Sequence, residues 1–114
     1  PCLDYINSKF PHVKFEYVVG DSTLTMPKWI QENSQNKHTY DVVHVDGGHT
    51  EHCISNDIGN ADALVKVGGI VIVDDTNNYH ISKYVDSYVA SGKYKELEVL
   101  TTYEHPHRII RKIQ

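Results

Sequence analysis

The 114-residue sequence lacks three features that would each define a class of protein. Its only cysteines, Cys2 and Cys53, are too few for a disulfide framework, and free thiols favour a reducing compartment, so we expect a cytoplasmic protein. No apolar run approaches the roughly 20 residues that span a bilayer, which argues against a membrane partner. The formal net charge is −4 and no cluster of Lys and Arg offsets it, which argues against nucleic-acid binding.

What the sequence does contain is an alternation of helix and strand patterns over the length of one domain. Apolar spacing predicts helices near 2–10, 54–65 and 81–89, the second capped by Thr50 and ended by Gly68, and Pro27 suits the first turn of another. Strand patterns occur at 13–19, 42–45 and 70–73, and residues 97–113 read as a hairpin with its turn near 105–107. The expected fold class is α/β: a partial Rossmann-like, doubly wound sheet, mostly parallel, with a C-terminal antiparallel hairpin. The apolar runs 42–45 and 70–73 further predict helices on both faces of the sheet.

Two of these strands end abruptly in carboxylates. Asp46 follows the strand 42–45, and Asp74 and Asp75 follow the strand 70–73. The segment between them is long enough for a helical crossover, which makes the strands parallel and places all three acids at the edge where α/β proteins bind ligands. A divalent cation would relieve their mutual repulsion, and all-oxygen ligands favour Mg²⁺. Alternatively, each Asp is a turn former or a helix cap.

Histidines follow and interrupt the first of these strands. His49 lies three residues after Asp46 and is either a general base or a capping residue of the next helix. His44 is in mid-strand and is expected to be a buried structural histidine, and His52 an exposed bystander.

The order of the motifs resembles a known family. Gly20-Asp21-Ser22, then Asp46-Gly-Gly-His49, then Gly68-Gly69 and an apolar run before Asp74-Asp75 is similar to the second half of a class I S-adenosylmethionine-dependent methyltransferase, nearest the catechol O-methyltransferase-like branch. The resemblance implies that Mg²⁺ is held by Asp46, Asp74 and Asp75. It also implies that S-adenosylmethionine is bound by Gly20, Asp21, Ser22 and Asp46.

The same resemblance implies a mechanism and a missing part. The metal lowers the pKa of a hydroxyl on a small substrate molecule, and His49, standing where the catechol enzymes usually have Lys, removes the proton. The family's glycine-rich loop is absent from this sequence. In the family's sheet, two strands that would come earlier in the chain lie between the strands that correspond to 13–19 and 42–45, and these are absent as well. We therefore expect an N-terminally truncated single domain, inactive alone, with bare apolar edges that pair with the missing segment or in a homo-oligomer.

Other functions fit some of these residues. A truncated methyltransferase-like module used for assembly would not be catalytic and would bind no cofactor. His44-x-Asp46 with a later His could form an Fe(II) facial triad, although such oxygenases need an all-β barrel. His49 and His52 could serve a metal-dependent hydrolase.

Overall fold

Four helices and four strands make up the part of the chain that a computed structural model describes, residues 2–97 and 106–114. A single 3-10 turn at Ser34–Asn36 precedes the first strand. In chain order the elements are α1 (Cys2–Lys9), α2 (Ser22–Glu32), β1 (Tyr40–Val45), α3 (Glu51–Leu64), β2 (Val65–Asp74), α4 (Tyr79–Ala90), β3 (Tyr94–Leu97) and β4 (His107–Lys112).

The four strands form one sheet in the order β1-β2-β4-β3. β1 and β2 are parallel neighbours joined by α3, which confirms the predicted crossover, and the other two pairs are antiparallel. The closing hairpin is also confirmed, with its first strand at Tyr94–Leu97. Residues 98–100 and the predicted turn residue 105 lie outside the described part. The mixed sheet is that of a partial Rossmann-like fold, as the sequence indicates.

The core lies on one face of this sheet, where α3 and α4 pack. Strand side chains alternate between faces, so Val45, Val71, Val73 and Ile110 point to the core while the intervening residues point away. The helices contribute Ile54, Ile58, Ala61, Ile81 and Val85, and Val65 of β2 and Tyr94 of β3 complete the core. The predicted stripe of α4 and the Thr50 cap of α3 are confirmed.

The end of α3 differs from the prediction. The helix ends at Leu64 rather than at Gly68, and β2 begins immediately with the fully buried Val65. Gly68 has φ +91°, and a Cβ on Gly69 would lie 2.9 Å from the carbonyl oxygen of Asp41. The glycines therefore form an irregularity inside β2, where the register against β1 shifts, and they permit the two backbones to approach closely.

The start of α2 also differs. Pro27 lies inside the helix rather than in its first turn, because Asp21 caps the helix at Ser22. The Asp21 carboxylate accepts hydrogen bonds from the backbone N–H and the hydroxyl of Thr23. These hydrogen bonds hold the pKa of Asp21 below its ordinary value. A strong cap thus set the start of the helix, and Pro27 is tolerated within it.

The predicted strand at 13–19 is not formed. Residues 14–19 are neither helix nor strand in the structure, and Tyr17 and Val19 are largely exposed. A strand needs a hydrogen-bonded neighbour, and the described part of the chain supplies none to this segment. The same lack leaves β1 at the edge of the sheet with Val42 half exposed. The expectation that helices bury both faces of this strand is therefore wrong.

A buried ionic cluster connects α3 with β3 and β4. The side chain of Lys112 is 7% exposed. Its ammonium nitrogen lies 3.1 Å from Asp62 Oδ1 and donates to the Asp62 carbonyl oxygen at 2.7 Å. The Tyr94 hydroxyl donates to the same carboxylate at 2.6 Å. Burial favours the neutral acid, but the hydrogen bonds from Tyr94 and Lys112 together hold the pKa of Asp62 below its ordinary value. The cluster fixes the helix that carries the chain from β1 to β2.

Candidate functional site

The carboxyl ends of β1 and β2 lie side by side, as the crossover requires. His44 pairs with Ile72 and Val45 with Val73 in the parallel register, so Asp46 and Asp74 follow at the same level of the sheet. Asp46 is exposed, and the side chain of Asp74 is 28% exposed. The predicted meeting of these two acids at one sheet edge is confirmed.

His44 lies beside these two acids. The prediction that it is buried is wrong. Its side chain is 53% exposed, and Nε2 lies 4.0 Å from Asp74 Oδ2. Ligand atoms of His44, Asp46 and Asp74 all lie within 4.8 Å of one another. The physical reason is the alternation of β1, which turns Val43 and Val45 to the core and His44 to the face away from α3 and α4.

Asp75 is directed to a different partner. Its Oδ2 lies 2.8 Å from Nε2 of His49, with the side chains 35% and 53% exposed, respectively. Asp75 has φ +57°, a left-handed conformation that Asp tolerates, and its N–H donates to Asp74 Oδ1 at 2.8 Å. The structure therefore brings His49 to the candidate site through Asp75, while Asp75 is outside the group formed by His44, Asp46 and Asp74.

Gly20, Asp21 and Ser22, which are predicted to contact the methyl donor, make contacts that stabilise the turn before α2. Gly20 has φ +140°, and a Cβ there would lie 2.7 Å from Thr25 Cγ2, so the turn before α2 requires glycine. Asp21 caps α2, and the Ser22 hydroxyl donates to Asp57 Oδ1 at 2.7 Å. These contacts hold the turn in place, and they leave the donor-binding roles of the three residues as predictions.

A cavity of about 260 Å³ connects this turn with the strand end. Ser22 and Met26 of α2, Asp57 and Asn60 of α3, and Asp46 line it. Gly47 also lines it, and a Cβ on Gly47 would lie 2.5 Å from Asp57 Oδ2. The cavity places Ser22 and Asp46, two of the predicted donor-binding residues, on one continuous surface.

A larger cavity, of about 510 Å³, lies beside the open edge of β1. Residues of the segment 14–18 line it on one side, and its apolar lining includes Trp29, Tyr40 and Val42. The expected two further strands, between 13–19 and 42–45 in the sheet order of the resembled family, stay a prediction.

Two residues of the site were missed by sequence reasoning. His44 could have been found, because residues i and i+2 of a strand share a face and Asp46 was already assigned. Asp57, which accepts from Ser22, has no such signal, since its position depends on how α2 packs against α3. His52 is exposed, as expected.

Comparison with models of protein families gives a match. A family model described as a methyltransferase domain matches residues 4–76, which is more than half of the chain and includes the ends of both parallel strands. No curated protein matches. Within the described residues, no helix is both long and apolar enough to cross a membrane.

Proposed function

This chain belongs to the family of methyltransferase domains, and from that premise we propose that it transfers a methyl group to a hydroxyl oxygen of a small molecule. The family generally uses S-adenosylmethionine, which supplies the methyl group as a sulfonium. The observation that carries the proposal is the joint placement of Asp46, Asp74 and the His49–Asp75 pair at one edge of the sheet. That edge is where ligands bind in α/β folds.

The donor set fits a divalent metal. Asp46 and Asp74 offer carboxylate oxygens from two adjacent strand ends, and oxygen donors of this kind suit divalent cations such as Mg²⁺. The third predicted ligand, Asp75, is paired with His49. A bound metal would supply positive charge that lowers the pKa of the substrate hydroxyl. Without such a charge, the acids at this edge would repel an alkoxide and oppose the reaction.

His49 is the proposed base. Its Nδ1 is available to accept the proton of the substrate hydroxyl when Nε2 carries the hydrogen donated to Asp75. The 2.8 Å contact to Asp75 fixes this tautomer and the orientation of the ring. The deprotonated oxygen would then form the new bond to the methyl carbon while the bond from that carbon to the sulfonium sulfur breaks, so that the demethylated donor leaves as a neutral thioether. Correct positioning of the two reactants would provide much of the rate.

The methyl-donor surface is proposed to include Gly20, Asp21, Ser22 and Asp46. Its support is the shared cavity that joins Ser22 to Asp46. We further propose that additional polypeptide pairs with the open edge of β1 and completes this surface, because Val42 is half exposed there beside the 510 Å³ cavity. On this proposal the 114 residues alone are inactive.

The test measures binding and transfer separately. Calorimetric titration of the full-length protein, which carries the proposed additional polypeptide, with S-adenosylmethionine should show saturable binding, and the replacement Asp46→Asn should weaken it. The control Glu32→Gln, on an exposed helix residue paired only at 4.0 Å, should leave it unchanged. Transfer to a panel of hydroxylated small molecules should be lost with EDTA. Activity that persists in EDTA would refute the metal, but not the transferase.

A second function is supported by the open edge of β1. A non-catalytic module would use that edge and the adjacent cavity for assembly with another chain. Absence of S-adenosylmethionine binding, with a partner strand protecting β1 amides from hydrogen exchange, would favour this second function over the first.

A further inference from the structure

The face of the sheet that carries His44 supports a more specific assignment of the metal centre. We propose that His44 Nε2 is a direct ligand of the metal together with Asp46 and Asp74, and that the centre therefore selects a transition ion such as Mn²⁺ or Co²⁺ over Mg²⁺. This rests on the metal site of the proposed function and changes its ligand set and its ion.

The placement comes from the backbone. His44 and Asp46 are two residues apart on β1, and the register of His44 opposite Ile72 puts Asp74 on the same face of β2. Ligand atoms of the three residues lie within 4.8 Å of one another. Ligand atoms on one metal at bond lengths of about 2.0–2.2 Å are about 3–4 Å apart, so modest side-chain rotation closes the set.

The three side chains are also free to coordinate. Within the described part of the chain, neither the His44 ring nor the Asp46 carboxylate makes a hydrogen bond, and the 4.0 Å separation of His44 from Asp74 is too long for one. The Asp75 N–H holds Asp74 through Oδ1, which leaves Oδ2 directed towards His44. Asp75 itself is occupied by His49 at 2.8 Å.

A ligand set with the His44 nitrogen in place of a carboxylate oxygen prefers a different metal ion. An imidazole nitrogen is a poor ligand for Mg²⁺, which prefers oxygen and water, but a good one for first-row transition ions. Two carboxylates and one histidine leave coordination positions open on such an ion. A substrate hydroxyl can occupy one of these positions on the exposed side of the sheet.

The experiment is direct metal binding to the metal-free purified protein, measured by calorimetry with Mn²⁺, Co²⁺ and Mg²⁺ and by the visible absorption of Co²⁺. We expect Co²⁺ and Mn²⁺ to bind more tightly than Mg²⁺. His44→Gln should weaken Co²⁺ by at least about 10-fold, since loss of even an outer partner of a ligand costs about 10–100-fold. Mg²⁺ should change by less than about 3-fold, and the exposed control His12→Gln should behave as wild type.

The variant Asp75→Asn separates the two ligand sets. If Asp75→Asn abolishes metal binding while His44→Gln does not, the oxygen set is correct and the proposal is overturned. Absence of Co²⁺ binding to the wild type also overturns it. Selective broadening of the His44 ring resonances by Mn²⁺ in the unmodified protein is expected as well, and its absence contradicts the proposal even if a variant fails to fold.

Failure of this proposal is distinguishable from failure of the proposed function. Titration with S-adenosylmethionine in the absence of metal tests the transferase alone. Binding of the methyl donor without any metal binding refutes the centre and leaves methyl transfer standing. Metal binding that depends on His44, without binding of the methyl donor to the full-length protein, supports the centre and refutes the transferase.

Discussion

Replacing Asp62 by Asn should lower the free energy of unfolding by about 2–3 kcal/mol, because the buried ammonium of Lys112 then has no negatively charged partner. Asn keeps an oxygen to accept from Tyr94, so the change removes charge and little else. The Lys112 side chain is 7% exposed and its nitrogen lies 3.1 Å from Asp62 Oδ1. Breaking a fully buried pair costs about 3–5 kcal/mol, and the 34% exposure of the Asp62 side chain lowers the expected cost.

Urea denaturation at pH 7 measures this loss. With a slope of about 1–3 kcal/mol per molar urea, the midpoint should fall by about 0.7–3 M. The control Glu32→Gln breaks an exposed pair at 4.0 Å to Lys28 and should cost less than about 0.5 kcal/mol. Adding Lys112→Met to Asp62→Asn should recover part of the loss, because the uncompensated charge is then removed. If Asp62→Asn costs no more than the control, the buried pair does not stabilise the fold as reasoned.

The remaining predictions concern backbone, acid stability and the open edge. Gly59→Ala should raise the free energy of unfolding by about 0.5–1 kcal/mol, since a Cβ in mid-helix meets open space, while Gly92→Ala at φ +82° should lower it by about 1–2 kcal/mol; matched thermal melts decide both. The hydrogen bond from Arg108 lowers the pKa of Glu96, so its contribution to stability is complete above pH 4.5 and is lost as the pH falls through the folded value. Glu96→Gln should therefore flatten the melting temperature between pH 5 and pH 3, about the acidic range where carboxylates titrate, and an unchanged profile would count against the pair. Val42→Lys should reduce self-association by light scattering, because a charge on an edge strand opposes strand addition, and an unchanged second virial coefficient would contradict that use of the edge.

Local pattern was sufficient for most elements of the fold. The Thr50 cap, the stripe of α4 and the crossover between β1 and β2 follow from spacing and capping, which act within a few residues. Three of the errors share one cause, whereas the start of α2 was set locally by the Asp21 cap. The strand expected at 13–19, the helix end expected at Gly68 and the burial expected for His44 all depend on what packs against the segment.

The sequence by itself determined the chemistry available at the site. Carboxylates directly after two apolar runs, with His49 close behind, indicate an acidic ligand-binding edge, because parallel strands joined by a crossover must end together. Only the tertiary structure decided which side chains act together. The register of β1 against β2 places His44 with Asp46 and Asp74, and the left-handed conformation at Asp75 turns that carboxylate to His49. Both depend on contacts between residues about 26–30 positions apart, which no pattern of neighbouring residues encodes.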